Sequence, residues 1–289
     1  MIKPLFSGVC TAMVTPFLNN QINYPLMEVL LQRQIDAGIS AIVICGTTGE
    51  SPTLSDEEKL ELIRRCKEYA GNQMIVIAGT GSNSTKRAIE LSVKAQDAGA
   101  DALLVVSPYY NKATPEGLVC HYAAIANAVK IPLILYNVPS RTGLDIPVCV
   151  YQRLCGIRNV VGVKEATTCI EKILQIRAEC PTDFIIWAGN DDMTVPVISL
   201  GGLGVISVAS NLIPDDMQAM ALSAVNGDFK TAASIQQQIA PLTKLLSCEI
   251  NPIPIKAAMK IAGYDCGGCR LPLTSLSSEN ERKLKEFLC

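Results

Sequence analysis

Eight short apolar runs, each followed by a helix-like segment, constrain the fold of this chain more than any other feature. The runs are rich in Val, Ile, Leu and Ala and lie at residues 8–14, 41–45, 74–78, 102–106, 132–136, 160–164, 184–188 and 204–208. Such runs are typical of parallel strands that are buried on both faces of a sheet. Eight strand–helix alternations within roughly 200 to 250 residues are the pattern of a (β/α)8 barrel. We therefore predict an α/β fold, a TIM barrel with a C-terminal helical extension.

The segments between the runs carry helix signals. Helices are predicted at residues 25–37, 55–70, 83–98, 115–129, 147–155, 169–180, 193–200 and 214–226. Ser55 precedes an acidic first turn, as an N-cap does, and Gly38, Gly71 and Gly99 follow helices where a C-terminal cap belongs. The competing fold is a doubly wound open sheet, which usually has a G-x-G-x-x-G turn after its first strand, and the sequence has none there.

The alternation ends at Gly227, and the remaining chain looks helical. Helical segments are predicted at residues 228–247, 254–262 and 278–289. We divide the chain into a catalytic barrel, residues 1–226, and a C-terminal helical domain, residues 227–289. No low-complexity linker separates the two, so we expect them to pack together.

Charge and composition exclude several classes of function. The formal net charge is −2 and no basic run is longer than Arg64-Arg65, which argues against nucleic acid or an anionic membrane as the partner. No apolar run approaches the length of a membrane span, and Pro4 interrupts the region where a signal peptide would have its apolar core. Most of the twelve cysteines lie singly in apolar stretches, as free thiols of a reducing compartment do, so we expect a cytoplasmic protein.

The sixth run ends on Lys164, which the barrel prediction places at the catalytic face. Active sites of such barrels lie at the C-terminal ends of the strands, and Tyr136 ends the preceding run. Neighbouring strands are about 5 Å apart, so the two side chains can meet in the barrel mouth. A lysine amine can condense with a keto group, and a phenol can shuttle protons. The alternative is an ordinary strand-end lysine with its ammonium in water.

Other chemistries have weak support. His121 is the one histidine and falls within a predicted helix, which argues against a histidine triad or a histidine metal site. Cys266 and Cys269 form the one C-x-x-C motif, which is open to a metal-binding, a redox or an incidental interpretation, and the third is favoured. We expect no metal and no cofactor.

Three stretches resemble the dihydrodipicolinate synthase / N-acetylneuraminate lyase family. They are Gly46-Thr-Thr-Gly-Glu50, Tyr136-Asn-Val-Pro-Ser-Arg-Thr-Gly143 and Gly162-Val-Lys-Glu165, and the likeness extends to the stretches at residues 201–207 and 251–256. The family comprises class I aldolase barrels that use pyruvate. The resemblance implies a Schiff base between pyruvate and Lys164, and addition of its enamine to the aldehyde of aspartate 4-semialdehyde, in lysine and diaminopimelate biosynthesis.

The resemblance also implies roles for single residues. Tyr136, Thr48 and Tyr110 match the proton-relay triad of the family, and Tyr110 would reach the site of a neighbouring subunit. That implies a homo-oligomer, commonly a homotetramer built as a dimer of dimers. The pyruvate carboxylate would be bound by Thr47 and Thr48, and backbone groups near the lysine would come from Gly189 and Ile206. Arg141 would bind the semialdehyde carboxylate, since a guanidinium grips a carboxylate bidentately.

Two alternatives stay open at this point. A pyruvate-dependent sugar-acid lyase, of the N-acetylneuraminate or 2-keto-3-deoxygluconate type, would use the same Schiff base with another aldehyde, although Arg141 fits a carboxylate better than a polyol. A catalytically silent barrel that senses pyruvate or an amino acid would not need the set of Lys164, Tyr136 and Thr48. The family's lysine-inhibited members resemble this chain around Lys59 and Arg87, but these two cations predict weak or absent inhibition by lysine.

Overall fold

The computed structural model describes residues 4–288 and has eight parallel strands closed into a barrel. The barrel strands follow the chain in order, and the last, β10, closes against the first. The strands are β1 (Gly8–Ala12), β2 (Phe17–Leu18), β3 (Gln21–Ile22), β4 (Ala41–Ile44), β5 (Ile75–Gly79), β6 (Ala102–Val106), β7 (Leu133–Asn137), β8 (Val160–Glu165), β9 (Ile185–Ala188) and β10 (Gly204–Ser207). All eight predicted strands are present, and the TIM-barrel prediction is confirmed. The two short strands β2 and β3 form a separate antiparallel hairpin.

The helices surround the barrel at the predicted places. They are α1 (Tyr24–Asp36), α2 (Asp56–Ala70), α3 (Thr85–Asp97), α4 (Pro115–Ala128), α5 (Pro139–Thr142), α6 (Val148–Leu154), α7 (Ile170–Glu179), α8 (Thr194–Ser199), α9 (Pro214–Val225), α10 (Phe229–Leu245), α11 (Ile253–Ile261) and α12 (Ser278–Leu288). The short helix α5 was not predicted, because four residues are too few to show a helical period. The predicted end of the last helix at Cys289 lies outside the described residues.

The cap residues act as predicted. The hydroxyl of Ser55 accepts a hydrogen bond from the backbone N–H of Glu58, and the Glu58 carboxylate accepts one from the backbone N–H of Ser55. This reciprocal pair is a capping box. Gly71 follows α2 with a φ of 54°, in the left-handed region that glycine adopts without steric cost.

The barrel is a filled core. Side chains from several strands pack inside it, among them Cys10, Ile134, Trp187 and Ile206, each fully buried. The larger core lies outside the strands, between them and the helices. Because both faces of every strand are buried, the strands read as unbroken apolar runs.

The C-terminal helices pack on the barrel through apolar contacts and a buried ion pair. Helix α10 packs against α9 and α8. The Nζ of Lys256, on α11, lies 2.8 Å from Oε1 of Glu50, in the loop after β4, and both side chains are buried. The division of the chain at residues 226 and 227 stays a prediction. Between residues 4 and 288, no helix has the length and apolar character needed to cross a membrane.

Candidate active site

Lys164 and Tyr136 are adjacent residues of neighbouring strands. They are directly opposite in the parallel ladder of β7 and β8, and Asn137 lies opposite Glu165 one residue further. Successive side chains of a strand point to opposite faces. Tyr136 packs within the barrel interior, and the Nζ of Lys164 lies 4.5 Å from the centroid of its ring. Strand pairing thus holds the amine beside the tyrosine ring. The position is largely buried, since Lys164 is only 5% exposed.

The alternate residues of the same two strands form a polar network behind the site. The Nδ2 of Asn137 donates a 2.7 Å hydrogen bond to Oε1 of Glu165, and the hydroxyl of Tyr151 donates a 3.0 Å bond to Oε2. The ammonium of Lys172 lies 3.6 Å from the same carboxylate. Burial raises the pKa of Glu165, while the charge of Lys172 opposes that rise. This network holds the ends of β7 and β8 together, directly behind Tyr136 and Lys164.

A cavity of about 660 Å³ opens at the C-terminal ends of the strands. Six of the residues predicted for the site lie in its wall, and the structure thus brings together residues from five separate segments of the chain: Thr47, Thr48, Tyr136, Arg141, Lys164 and Gly189. The far side of the cavity is formed by the C-terminal extension, at residues 240–251. A volume of this size suits a small-molecule site.

Asn251 connects two of the predicted residues. Its Nδ2 donates a 3.0 Å hydrogen bond to Oγ1 of Thr48, and its backbone carbonyl accepts a 3.3 Å bond from Nη2 of Arg141. Its own Oδ1 is buried without a hydrogen-bond partner among the described residues. A buried acceptor of this kind is costly unless a ligand or water supplies the donor. Asn251 therefore belongs to the site, although only its place in a family motif pointed to it.

Asp191 is a second polar residue of the cavity that was not predicted as a site residue. Its Oδ2 accepts hydrogen bonds from the backbone N–H groups of Val208 and Ala209, at 3.2 and 2.9 Å. Its Oδ1 is buried, and no partner for it exists within residues 4–288. Burial raises the pKa of this carboxyl group, while the hydrogen bonds that it accepts and, more weakly, the charge of Lys164 act in the opposite direction. The signals for Asp191 in the sequence were its carboxylate and its position just after a predicted strand.

Gly189 is required by the close approach of two loops. A Cβ at this position would lie 2.6 Å from the Cβ of Ala166, which follows the lysine strand. Any larger residue would push the loop after β9 away from the lysine strand. The structure thus gives Gly189 a steric reason for its place in the cavity wall.

Two predicted residues lie outside the cavity wall. Tyr110 is 91% exposed, on the loop after β6, and its side chain does not approach Lys164. Its φ of 72° is unusual for a tyrosine. Ile206 is fully buried inside the barrel, opposite Cys10 in the strand ladder.

The remaining candidates of the sequence lie away from this chemistry. His121 is buried on α4, where its Nδ1 lies 2.9 Å from Oγ1 of Thr85. Burial raises the pKa of Cys266 to about 12 and that of Cys269 to about 11. Raised pKa values disfavour the thiolate that metal binding or redox chemistry needs, which supports the incidental interpretation of this pair.

Known proteins resemble this chain over its whole length. The chain is 46% identical to the 4-hydroxy-tetrahydrodipicolinate synthase of Acetivibrio thermocellus, over all of this chain and 98% of that protein. The solved structure of the 4-hydroxy-tetrahydrodipicolinate synthase from Methylacidiphilum fumariolicum SolV superposes with a TM-score of 0.96 at 43% identity, covering 98% of this chain and 95% of that one. Dihydrodipicolinate synthase from Aquifex aeolicus gives a TM-score of 0.96 at 42% identity, covering 98% and 97% of the two chains.

The sequence profile of one family accounts for almost the entire chain. It is the profile described as the dihydrodipicolinate synthetase family, and it matches residues 5–289. The match includes the barrel with its lysine strand and the C-terminal helices that complete the cavity. The resemblance stated from the sequence is confirmed, and this chain belongs to the dihydrodipicolinate synthetase family.

Proposed function

We propose that this protein condenses pyruvate with L-aspartate 4-semialdehyde and releases 4-hydroxy-tetrahydrodipicolinate, in lysine and diaminopimelate biosynthesis. The observation that carries the proposal is Lys164 held 4.5 Å from the Tyr136 ring in a cavity whose rim carries Arg141. The names of the full-length relatives support the same reaction.

The first half of the reaction makes a nucleophile from pyruvate. The amine of Lys164 attacks the keto carbon, and loss of water gives an imine. Loss of a methyl proton converts the imine into an enamine, with the nitrogen as the electron sink. We assign the transfer of these protons to the phenol of Tyr136, because the Nζ of Lys164 lies 4.5 Å from the centroid of its ring.

The second half joins the two substrates. The enamine carbon attacks the aldehyde of the semialdehyde, and the new alkoxide takes a proton. The amino group of the semialdehyde then attacks the imine carbon, which closes the ring and releases Lys164. Arg141 binds the carboxylate of the semialdehyde in this proposal, and Asn251 fixes the guanidinium through its backbone carbonyl.

Thr47 and Thr48, in the loop after β4, are the candidates for binding the pyruvate carboxylate and for completing the proton relay. Thr48 is buried and its hydroxyl accepts a hydrogen bond from Asn251, so the proton that it donates stays available for a pyruvate carboxylate or for the relay with Tyr136. Thr47 is half-buried in the same wall, and its hydroxyl forms no hydrogen bond within the described part of the chain, so it is the second candidate for either task. We propose backbone contacts to the ligand from Gly189 and Ile206.

The proposed assembly is a homotetramer built as a dimer of dimers. The exposed side chain of Tyr110 supports it, because an aromatic residue that is 91% exposed in one chain is free to enter the site of another copy. We place the protein in the cytoplasm, since Cys10, Cys45 and Cys66 are buried in the core as small apolar residues. Sedimentation of the purified protein tests the oligomeric state.

Borohydride trapping tests the mechanism. Incubation with pyruvate followed by reduction should add the mass of the reduced pyruvate adduct to the peptide that contains Lys164, and Lys164→Arg should abolish it. No adduct, or an adduct on a different lysine, contradicts the proposal. Activity with aspartate semialdehyde, compared with activity on N-acetylneuraminate and 2-keto-3-deoxygluconate, separates the synthase from a sugar-acid lyase. Arg141 favours the synthase, because a guanidinium fits a carboxylate better than the polyol chain of a sugar acid.

A further inference from the structure

The turn that carries Thr47 and Thr48 lies between two residues in a strained backbone conformation. Cys45 and Glu50 have φ angles of 58° and 57°, in the left-handed region that residues other than glycine rarely adopt. The backbone N–H of Glu50 donates a 3.1 Å hydrogen bond to the carbonyl of Thr47, which closes the turn. Strained residues of this kind persist only where the surrounding contacts hold them. The contacts of Glu50 therefore decide whether the turn keeps its shape.

The carboxylate of Glu50 is buried and is bound at both oxygens. Its Oε1 lies 2.8 Å from Nζ of Lys256, and its Oε2 accepts a 2.8 Å hydrogen bond from the backbone N–H of Arg270. The same ammonium donates to the carbonyls of Thr15 and Gly268, at 3.1 and 2.9 Å. All three ammonium protons and both carboxylate oxygens thus have partners, and none of these partners belongs to the turn.

Helix α11 is joined to the turn at a second point, besides its ion pair with Glu50. Asn251, which lies just before the helix begins, donates a 3.0 Å hydrogen bond to Oγ1 of Thr48. The hydroxyl of Thr15 donates a 2.7 Å bond to the carbonyl of Gly49, between these two points. Each of the last three residues of the turn is therefore held by another part of the chain.

Stability alone gives a poor account of the ion pair between Glu50 and Lys256. Two apolar side chains of similar volume often stabilise a buried site as well as an ion pair does. Apolar contacts have no preferred direction, whereas charge-assisted hydrogen bonds at both oxygens fix the orientation of a carboxylate. The orientation of the Glu50 side chain in turn restricts the backbone two residues away, where Thr48 lies in the wall of the catalytic cavity.

We infer that Glu50 is a positioning residue for Thr47 and Thr48. Its contacts with Lys256 and Arg270 hold the turn so that both hydroxyls face the place of the pyruvate carboxylate. The inference rests on the proposed function, because it concerns the threonines that bind pyruvate there. Loss of the ion pair should loosen the turn but leave β8 and its lysine in place. Formation of the imine should then require more pyruvate, although its final extent is unchanged.

Borohydride trapping over a series of pyruvate concentrations tests the inference in the double variant Glu50→Gln with Lys256→Met. These two changes remove both charges, so neither is left buried without its partner. The pyruvate concentration that gives half-maximal labelling of Lys164 should rise by roughly 10- to 100-fold, since a displacement of about 1 Å can have an effect of this size. Labelling at saturating pyruvate should equal that of the wild type, because the lysine is intact.

The ion pair of Lys67 with Asp101 provides a matched control. There too a carboxylate lies 2.8 Å from an ammonium and accepts a 2.8 Å hydrogen bond from a backbone N–H, that of Val76. Asp101 immediately precedes β6, at the end of the barrel opposite the catalytic cavity. The double variant Asp101→Asn with Lys67→Met should therefore reach half-maximal labelling at the pyruvate concentration of the wild type.

Two results would overturn the inference while leaving the proposed function intact. One is half-maximal labelling of the Glu50→Gln, Lys256→Met protein at the pyruvate concentration of the wild type, and the other is an equal rise in the control. A pyruvate response that returns to the wild-type value as stability recovers from Lys256→Met to the double variant would likewise show a purely structural ion pair. Absence of labelling in the wild type would refute the proposed function, and the inference with it.

If the double variant does not fold, Glu50→Asp replaces it in the same measurement. Aspartate keeps the charge, but its shorter side chain cannot reach both Lys256 and the backbone N–H of Arg270. The half-maximal pyruvate concentration should again rise, and an unchanged value would contradict the assignment.

Discussion

The Nζ of Lys164 lies 4.5 Å from the ring centroid of Tyr136, and the two residues are directly opposite in the ladder of β7 and β8. Strand pairing therefore fixes their relative position, with no flexible loop between them. A catalytic pair on paired strands is held more accurately than one on loops. Behind it, the Asn137–Glu165 hydrogen bond of 2.7 Å joins the next residues of the same strands.

Tyr136→Phe should separate proton transfer from Schiff-base formation. The ring remains, so packing against Lys164 is kept, but the phenolic proton is lost. We expect kcat to fall by roughly 100-fold or more, as for loss of a general acid–base group, with unchanged melting temperature. Borohydride trapping after long incubation should still label Lys164. Full activity in this variant would exclude Tyr136 from the relay.

Asn137→Leu should destabilise the barrel at the ends of β7 and β8. The buried carboxylate of Glu165 would lose its 2.7 Å donor, and Ile146 would lose the acceptor of its backbone N–H. Loss of a buried hydrogen-bond partner costs about 1 to 3 kcal/mol, and more for a charged group. The free energy of unfolding, measured in urea, checks this. Glu116→Gln is the comparison, because its ion pair with Arg153 is exposed to solvent and should contribute little to stability.

Lys256→Met should be among the most destabilising single changes. The buried Glu50 carboxylate would lose an ammonium at 2.8 Å, and the carbonyls of Thr15 and Gly268 would lose their donor. Breaking a buried ion pair from one side costs about 3 to 5 kcal/mol. The double variant Glu50→Gln with Lys256→Met should recover part of this loss. A double variant less stable than Lys256→Met would show that Glu50 contributes mainly through its other contact, the backbone N–H of Arg270.

Local patterns in the sequence were sufficient for the strands and for the central pair. Apolar runs of Val, Ile and Leu marked every barrel strand, and the strand ends then placed Lys164 and Tyr136 on one face. Contacts between distant segments left no local pattern. The Asn251–Thr48 hydrogen bond joins residues 203 positions apart, and the Lys256–Glu50 pair joins residues 206 apart. Such contacts depend on how the C-terminal helices pack, which hydrophobic periodicity does not report.

Arg141→Lys should impair use of the aldehyde substrate while leaving the reaction of Lys164 with pyruvate intact. The lysine keeps the charge but loses the planar pair of N–H donors that grips a carboxylate. We expect kcat/KM for aspartate semialdehyde to fall by roughly 10- to 100-fold, which corresponds to about 1.4 to 2.8 kcal/mol of transition-state binding. The extent of pyruvate trapping should match the wild type. An equal loss of trapping would place Arg141 on pyruvate instead.

The buried His121 should make the protein less stable in mild acid. Burial lowers its pKa to about 4 from an ordinary value of 6.5. Between these two values the unfolded chain binds a proton that the folded chain does not, so stability falls as pH falls through this window. From about pH 7.5 to about pH 4.5 this single group should lower the free energy of unfolding by on the order of 2 to 3 kcal/mol.

The control variant is His121→Gln, which can keep the contact with Thr85 without titrating. Its free energy of unfolding, measured in urea, should therefore fall less over that pH range. Because the other titrating groups are common to both proteins, the difference between the two pH profiles isolates His121. Parallel profiles would mean that the imidazole is protonated in the folded protein at the same pH as in the unfolded chain.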